Sequence, residues 1–188
     1  MTQPGRVLSQ FWSPLCAVGS HGPGGPNAQV CLSVFGASIV PERPRLLVVL
    51  WKGNYTHELA AASGTLAITV LGEEQAELLE PLGLHSGRDG PKLEGLRWRP
   101  TPEGDPVFEG GAGWLRCRVF DAFDLGDATA FLAAVLETGE GEGTPLRWQA
   151  AQQVVGERFL ARWAEKSARD RAAAARLMRW PGPPGAQA

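Results

Sequence analysis

The chain has 188 residues, of which 44% are hydrophobic and 20% are charged, and its formal net charge is −2. This size and composition are typical of one globular domain with a hydrophobic core. The slight negative charge argues against a nucleic-acid-binding protein held by bulk electrostatics. No run approaches the ~18 apolar residues of a membrane-spanning helix, and the N-terminus lacks the layout of a signal peptide. We therefore expect a cytoplasmic protein with no nucleic-acid or membrane partner.

The N-terminal half of the chain predicts strands and two short helices. Residues 1–13 predict an entry segment or short helix whose Phe11 and Trp12 pack on the body. The helices are expected over Thr56–Ala62 and from Glu73 until Pro81 and Gly83 end the second one. The predicted strands are Leu15–Ser20, Val30–Phe35, Arg45–Trp51 and Thr65–Leu71.

The turn between the first two predicted strands, Gly19–Pro26, is rich in glycine and proline. Such a turn makes these strands plausible hairpin partners. We interpret His21 within it as a solvated loop histidine, with a ligand contact as the alternative.

The second half predicts three further strands, Leu96–Thr101, Gly113–Phe123 and Thr129–Thr138. In Gly113–Phe123 apolar residues alternate with charged and aromatic ones, and this period of two indicates one buried face. About six or seven strands with short helices between them predict a mainly β fold, a closed or partly open antiparallel barrel. No Gly-x-Gly-x-x-Gly motif opens a helix, so a Rossmann domain is not expected.

A long C-terminal helix is predicted to follow Pro145, a favourable first-turn residue. Its apolar stripe includes Trp148, Phe159 and Trp163. The segment 157–179 has seven basic and three acidic residues, so it is net +4. Three arrangements stay open: the basic face packs on an acidic body, it packs on a partner subunit, or the helix closes over a ligand site.

The three cysteines, Cys16, Cys31 and Cys117, are widely spaced and each lies in an apolar run. Because no Cys-x-x-Cys pair or cluster of His and Cys occurs, the sequence does not support a metal site. We interpret them as buried structural thiols, with one of them lining a ligand pocket as the alternative.

The stretch from Asn27 to Leu71 has the residue types of a ligand site. Small residues let backbone N–H groups approach a ligand closely. The start of the predicted helix at Thr56 offers unpaired N–H groups and a positive dipole end to a phosphate. This chemistry suits a phosphorylated, flat ligand with a hydrogen-bonding edge. The residues concerned are Ser33, Gly36, Ala37, Ser38, Lys52, Gly53, Asn54, Tyr55, Thr56 and His57.

Three blocks in collinear order resemble the flavin reductase-like, FMN-binding split-barrel family. The first runs from Asn27 to Ser63-Gly64 and contains Lys52-Gly53-Asn54-Tyr55-Thr56-His57-Glu58-Leu59. The others are His85-Ser86-Gly87-Arg88-Asp89-Gly90-Pro91-Lys92 and Pro106-Val107-Phe108-Glu109-Gly110. The resemblance implies an antiparallel Greek-key split β-barrel with short helices and a long C-terminal helix. The chain would then divide into an FMN-binding barrel domain (1–144), a C-terminal helix packing on the barrel or the partner subunit (145–180) and a disordered tail (181–188).

The resemblance also implies FMN as the cofactor, with FAD as the alternative, and a homodimer that binds flavin near the subunit interface. NAD(P)H is the possible electron donor. Lys52 would be a point charge for the phosphate, which Thr56 could share, although Thr56 could instead cap its helix. We expect His57 to be a neutral hydrogen-bonding histidine. The predicted cofactor-binding residues are Asn27, Ser33, Val34, Phe35, Gly36, Ala37, Ser38, Lys52, Asn54, Tyr55, Thr56, His57, Arg88 and Lys92.

One departure from the family pattern bears on activity. Reductases of this family carry Gly-Asp-His between the last two long strands, whereas this chain has Gly126-Asp127-Ala128. Because alanine neither hydrogen-bonds nor titrates, the resemblance favours FMN binding more strongly than hydride transfer from NAD(P)H. Three hypotheses follow: an NAD(P)H:flavin oxidoreductase, a non-catalytic flavin carrier that takes electrons from a protein partner, and a small β-barrel binding module without flavin.

Overall fold

The computed structural model describes residues 7–181, and most of this part of the chain belongs to β-strands and four α-helices. The helices are α1 (Tyr55–Ser63), α2 (Leu79–Leu84), α3 (Trp148–Val154) and α4 (Glu157–Ala174), with 3₁₀ turns at Leu8–Phe11 and Glu73–Leu78. The strands are β1 (Cys16–Gly22), β2 (Gly25–Cys31), β3 (Val34–Gly36), β4 (Arg45–Trp51), β5 (Thr65–Val70), β6 (Trp98–Pro100), β7 (Pro106–Phe108), β8 (Gly113–Asp124) and β9 (Ala128–Glu140). Of the predicted disordered tail only Pro181 is described, and residues 1–6 of the predicted entry segment also lie outside the described part.

Seven strands form one sheet in the order β2-β1-β5-β8-β9-β4-β3, and all neighbours are antiparallel. The strands β6 and β7 form a separate hairpin. The two edge strands are joined by only two residues, Leu32 and Ser33, so the sheet curls to bring β2 and β3 near each other. The N–H of Val49 in β4 donates to the carbonyl of Ser33 at 2.9 Å, which extends the pairing of β3 with β4 by one residue. This half-barrel confirms the predicted antiparallel split-barrel fold.

Two apolar cores hold these layers together. One fills the inside of the curled sheet and includes Val48, Leu50, Ile68 and Phe131. The other lies between the sheet and the helices, where α2 contributes Leu79 and Leu82 and α4 contributes Phe159. None of the helices within residues 7–181 is long and apolar enough to span a bilayer.

The predicted strand Val30–Phe35 is wrong in its bounds. The hairpin of β1 and β2 pairs from Cys16↔Cys31 to Gly22↔Gly25, so only two residues, Pro23 and Gly24, form the turn. After Cys31 the chain leaves the β1 side of the sheet and forms the short strand β3, which pairs with β4. The break is needed because β2 and β3 are the opposite edges of the sheet.

His21 is not the solvated loop residue that the sequence suggested. Its Nδ1 lies 2.7 Å from Oδ1 of Asp105, whose side chain is fully buried. The backbone N–H of Asp105 also donates to Oγ1 of Thr101 at 3.1 Å, within the connection between β6 and β7. Because β1 extends through His21, it brings the imidazole onto this connection.

Helix boundaries also differ from the prediction. The long C-terminal helix is divided into α3 and α4, because Val155 and Gly156 take extended backbone with ψ of 132° and 162°. Pro81 does not end its helix but lies in the first turn of α2, where a missing N–H is tolerated. The helix α1 ends at Gly64, whose φ of 69° suits glycine.

Two predictions about side-chain burial have opposite outcomes. Phe11 remains mostly exposed and does not pack on the body. The cysteines are buried and free, and burial raises the pKa of each thiol, to about 12 for Cys16 and Cys117 and to about 11 for Cys31. Such thiols are poor nucleophiles at neutral pH, which supports a structural role.

We expect His21→Ala to lower the free energy of unfolding by roughly 2 kcal/mol, because it leaves the Asp105 carboxylate buried without its partner. Urea unfolding at pH 7 would measure the change. His85→Ala is the control, since that side chain is exposed and its loss should change stability by less than about 0.5 kcal/mol. Equal destabilisation by both variants would contradict a stabilising pair.

Candidate functional site

A cavity of about 580 Å³ lies between the half-barrel and helix α4. Its volume is in the range of small-molecule and cofactor sites. The lining comes from β2, from the turn between β4 and α1, from the segment around and after the end of α2, and from α4. A second cavity of about 560 Å³ shares five of its lining residues, namely Asn27, Tyr55, Gly87, Arg88 and Lys92.

Asn27 and Thr56 form a buried hydrogen bond at the cavity wall. Nδ2 of Asn27 donates to Oγ1 of Thr56 at 2.6 Å. Oδ1 of Asn27 is buried and has no hydrogen-bond partner among the described residues. Thr56 is not the helix N-cap, because α1 begins at Tyr55 and Asn54 occupies the cap position. The amide of Asn27 therefore positions Thr56 at the cavity wall, while its own oxygen stays buried and unpaired.

The segment that follows α2 closes one side of the cavity. Gly87 approaches the wall so closely that a Cβ at this position would come within 2.3 Å of Oδ1 of Asn27. The next residue, Arg88, places its guanidinium 5.4 Å from the centre of the Tyr55 ring, a cation–π distance. It also donates to the carbonyl of Gly53 at 3.0 Å and pairs with Glu58. Arg88 thus ties this segment to the start of α1.

Lys92 brings a positive charge that no described carboxylate neutralises at ion-pair distance. Its Nζ donates to the carbonyls of His85 at 3.0 Å and Leu82 at 3.4 Å. Burial, aided by the charge of Lys166 on α4, lowers the pKa of this lysine to about 8. An anionic ligand in the cavity would favour the charged form of Lys92.

His57 is held away from the cavity by β9. Its Nε2 lies 2.8 Å from Oγ1 of Thr129, while Nδ1 is buried without a partner in the described structure. Burial, aided by the charge of Lys52 and opposed by Glu58, lowers the pKa of His57. The expectation of a neutral, hydrogen-bonded histidine agrees with this environment.

Lys52 also lies outside the cavity lining. Its Nζ is 2.6 Å from Oδ1 of Asp124, and Arg179 approaches the other oxygen of the same carboxylate at 3.0 Å. The hydrogen bond from Lys52 is the main cause that lowers the pKa of Asp124. A phosphate role for Lys52 requires it to exchange this carboxylate for the ligand, and it stays a prediction.

The segment Ser33–Ser38 does not line the cavity. Its backbone forms β3, and Oγ of Ser38 is bonded within the loop, donating to the carbonyls of Val40 and Arg43 at 3.2 and 3.0 Å. The structure therefore brings together only some of the predicted binding residues. Those that line the cavity are Asn27, Asn54, Tyr55, Thr56, Arg88 and Lys92, and those that do not are Ser33, Val34, Phe35, Gly36, Ala37, Ser38, Lys52 and His57.

The sequence prediction missed the wall that α4 provides. This wall includes Trp163, Lys166, Ser167, Arg169, Asp170 and Arg171. The signal for this wall was the excess of basic residues in the segment 157–179. Closure of the helix over a ligand site was one of the three arrangements that the sequence left open. Nothing in the local pattern separated this arrangement from the other two.

The position of the family histidine is occupied by a small, buried side chain. Ala128 starts β9 and pairs with Trp51 of β4, while the neighbouring Asp127 lines the cavity. No imidazole therefore stands at this point of the wall. Among residues 7–181 no three His, Cys, Asp or Glu side chains are grouped to hold a metal ion.

Comparisons with known proteins agree on one family. Residues 8–155 match the model of the flavin reductase like domain. The reductase subunit HsaB of a flavin-dependent monooxygenase from Mycobacterium tuberculosis is 28% identical over 71% of this chain and 69% of its own length. An NADH-dependent FAD reductase of Streptomyces globisporus is 29% identical over 82% of this chain and 81% of its own.

A solved structure resembles the fold as well. The NADH:FAD oxidoreductase SgcE6 of Streptomyces globisporus, in complex with NAD and FAD fragments, superposes with a TM-score of 0.63. The match is 25% identical and covers 72% of this chain and 79% of the other.

We expect Lys92→Met to change how stability depends on pH. The pKa of Lys92 in the folded protein lies below that of an unfolded lysine, so the unfolded chain binds more protons between about pH 8 and pH 10. The folded wild type therefore gains stability as pH rises through this window, and the methionine variant lacks that gain.

The measurement is denaturant unfolding of both proteins at pH 7 and at pH 9.5. The stability difference, variant minus wild type, should fall as pH rises. Arg169→Met is the matched control in the same cavity, because a guanidinium keeps its charge over this range. A difference for Lys92→Met that is independent of pH would contradict the lowered pKa.

Proposed function

The chain belongs to the flavin reductase-like family, and we propose that it is an NAD(P)H-dependent flavin reductase that binds its flavin in the cavity between the half-barrel and α4. The observation that supports this proposal is the cavity of about 580 Å³, whose lining brings together the polar pair Asn27 and Thr56, the aromatic Tyr55 and the cations Arg88 and Lys92. The named activities of the similar proteins, reduction of FAD with NADH and service to a monooxygenase, support the same assignment.

The residues present fit a flavin with a phosphate. The hydrogen bond from Asn27 holds Thr56 at the cavity wall, and Tyr55 supplies an aromatic wall beside it. The cations Arg88 and Lys92 are the charges at hand for the phosphate. We expect these residues to bind FMN, or the FMN half of FAD. The adjoining second cavity leaves room for a nicotinamide cofactor against the same wall.

The protein's own part in the reaction would be positioning and charge. The flavin supplies the hydride-accepting chemistry when it is bound. Reduction of the flavin takes one hydride from NAD(P)H, and formation of the neutral reduced flavin takes one proton as well. Ala128 offers no titratable group, and His57 is bonded to Thr129. The proton would therefore come from solvent or from a titratable side chain of the lining, such as His85 or Asp127.

The second candidate function is a flavin carrier that keeps its flavin and receives electrons from a protein partner. The observation that favours it is Ala128 in place of the family histidine. Both candidates are consistent with the predicted cytoplasmic location.

An anaerobic titration distinguishes the two. The purified protein should show the visible absorbance of flavin, alone or after addition of FMN or FAD, and NADH should bleach it. Bleaching by dithionite but not by NADH would move the assignment to the carrier. Absence of any bound flavin after incubation with both flavins would overturn the proposed function.

Asn27→Leu should raise the dissociation constant for flavin by at least about tenfold, because it removes the hydrogen bond that positions Thr56 and the start of α1 at the cavity wall. Fluorescence titration with FMN measures the effect. Gln152→Leu, an exposed glutamine outside the cavity, is the matched control and should bind as the wild type does. Retained affinity in Asn27→Leu, with its fold verified by circular dichroism, would place the flavin elsewhere.

We also propose that the chain forms a homodimer through the outer face of β3, β4, β9 and β8. The register aligns Phe35 with Leu47 and Leu47 with Leu132 across this face. Phe123 pairs with Ala130 two positions further along β9. Phe35 and Phe123 are exposed, and an apolar face of this kind is typical of a protein–protein interface. Since β3 belongs to the segment Ser33–Ser38, a partner subunit would cover that part of the predicted site.

Leu132→Glu should convert the dimer into a monomer, because it adds a second carboxylate directly opposite Asp121 on this face, and two like charges buried together are unfavourable. Size-exclusion chromatography with light scattering measures the mass. The control is Val154→Glu, which also replaces an apolar side chain by an acidic one, at an exposed position of α3. This variant should leave the mass unchanged. A wild-type protein that is already monomeric at micromolar concentration would overturn the dimer.

A further inference from the structure

Helix α4 lies outside the part of the chain that matches the family domain. The match ends at residue 155, whereas α4 spans Glu157–Ala174. Nevertheless α4 lines the same cavity as Asn27 and Tyr55 of the matched part. The cavity therefore has one wall from the matched domain and one wall from residues beyond it.

The added wall is rigidly attached to the body. Trp163 stacks against Phe159 and Trp148, with ring centroids 5.6 and 5.0 Å apart. It also fills the space over Gly83 of α2, where a Cβ would come within 2.4 Å of the indole. Arg162 adds an ion pair to Glu80. One turn after Trp163, the side chain of Lys166 faces the cavity from this anchored helix.

The charges that line the cavity are unbalanced. Five basic residues (Arg88, Lys92, Lys166, Arg169, Arg171) face three acidic ones (Asp89, Asp127, Asp170), so the lining is net +2. Lys166 is bonded to Asp170 at 2.5 Å, but Lys92 on the opposite wall has only carbonyl partners. The two ammonium groups are close enough that Lys166 disfavours the charged form of Lys92. An anion between them would relieve this repulsion.

We propose that Lys166 and Lys92, with the indole of Trp163 beside them, form a subsite for the adenosine diphosphate half of a dinucleotide. The pyrophosphate would lie between the two lysines and the adenine would pack on Trp163. The inference rests on the proposed function for the other half of the ligand, and it makes the chain a dinucleotide-selective member of its family. Both FAD and NAD(P)H contain this half, and the experiment below distinguishes them.

The first measurement uses ADP itself as the probe, by calorimetry on the full chain. ADP should bind the wild type, and Lys166→Gln should weaken it at least about tenfold, the loss expected for one charge-assisted hydrogen bond. Lys166→Arg should retain the affinity because it keeps the charge. Arg158→Gln is the control, because it removes a positive charge from the same helix at a position outside the cavity lining. This variant should bind ADP as the wild type does.

The same variants then show which dinucleotide occupies the subsite. If FAD occupies it, Lys166→Gln weakens the binding of FAD but not that of FMN. If the nicotinamide cofactor occupies it, Lys166→Gln raises the KM for NADH with either flavin. No binding of ADP to the wild type, or equal loss in Lys166→Gln and Arg158→Gln, would overturn the subsite. Because ADP contains no flavin, this failure is distinct from failure of the proposed function, which is a wild type that binds no FMN.

Discussion

The buried hydrogen bond from Asn27 to Thr56 is the contact on which the candidate site depends. It joins β2, an edge strand of the curled sheet, to the first turn of α1. Because water does not compete in this interior, breaking the bond would leave two polar groups unpaired, so strand and helix are held in one arrangement. That arrangement presents Tyr55 to the cavity and leaves room for Gly87 to pass over Asn27. The part of the cavity wall formed by Tyr55 and Gly87 therefore packs against the Asn27–Thr56 pair.

Charge is distributed unequally among the residues that line the cavity. Arg88 is partly neutralised by Glu58 and serves to fasten the segment that carries it. Lys92 has no such partner, and burial without a counter-charge is unfavourable unless a ligand supplies one. Lys52 shows the opposite case, since Asp124 and Arg179 form a surface network with it away from the cavity. Lys92, which has no carboxylate partner among the described residues, therefore indicates the candidate ligand site more clearly than Lys52 of the family motif does.

The family domain and the C-terminal helix contribute different properties to the same cavity. The half-barrel supplies the polar pair and the aromatic wall that the family resemblance implies. The helix α4 supplies an indole and further cations from residues beyond the family match. At the point where related reductases have a histidine, this chain has Ala128, buried against the sheet. Ala128 cannot transfer a proton, so the titratable side chains of the cavity lie elsewhere on its wall, among them His85 and Asp127.

The sequence by itself determined the elements whose patterns are local. The continuous apolar run Arg45–Trp51 became β4 with the predicted bounds, and the alternation in Gly113–Phe123 became β8. Six of the predicted binding residues reached the cavity because they lie on motif segments next to β2, α1 and α2. Only the tertiary structure decided that His21 pairs with buried Asp105, that Lys52 turns to Asp124, and that α4 closes the cavity. Each of these contacts joins residues more than 70 positions apart along the chain. Hydrophobic periodicity is set by neighbours within a few residues, whereas the partner of a charge is set by how the sheet curls and where the helices pack.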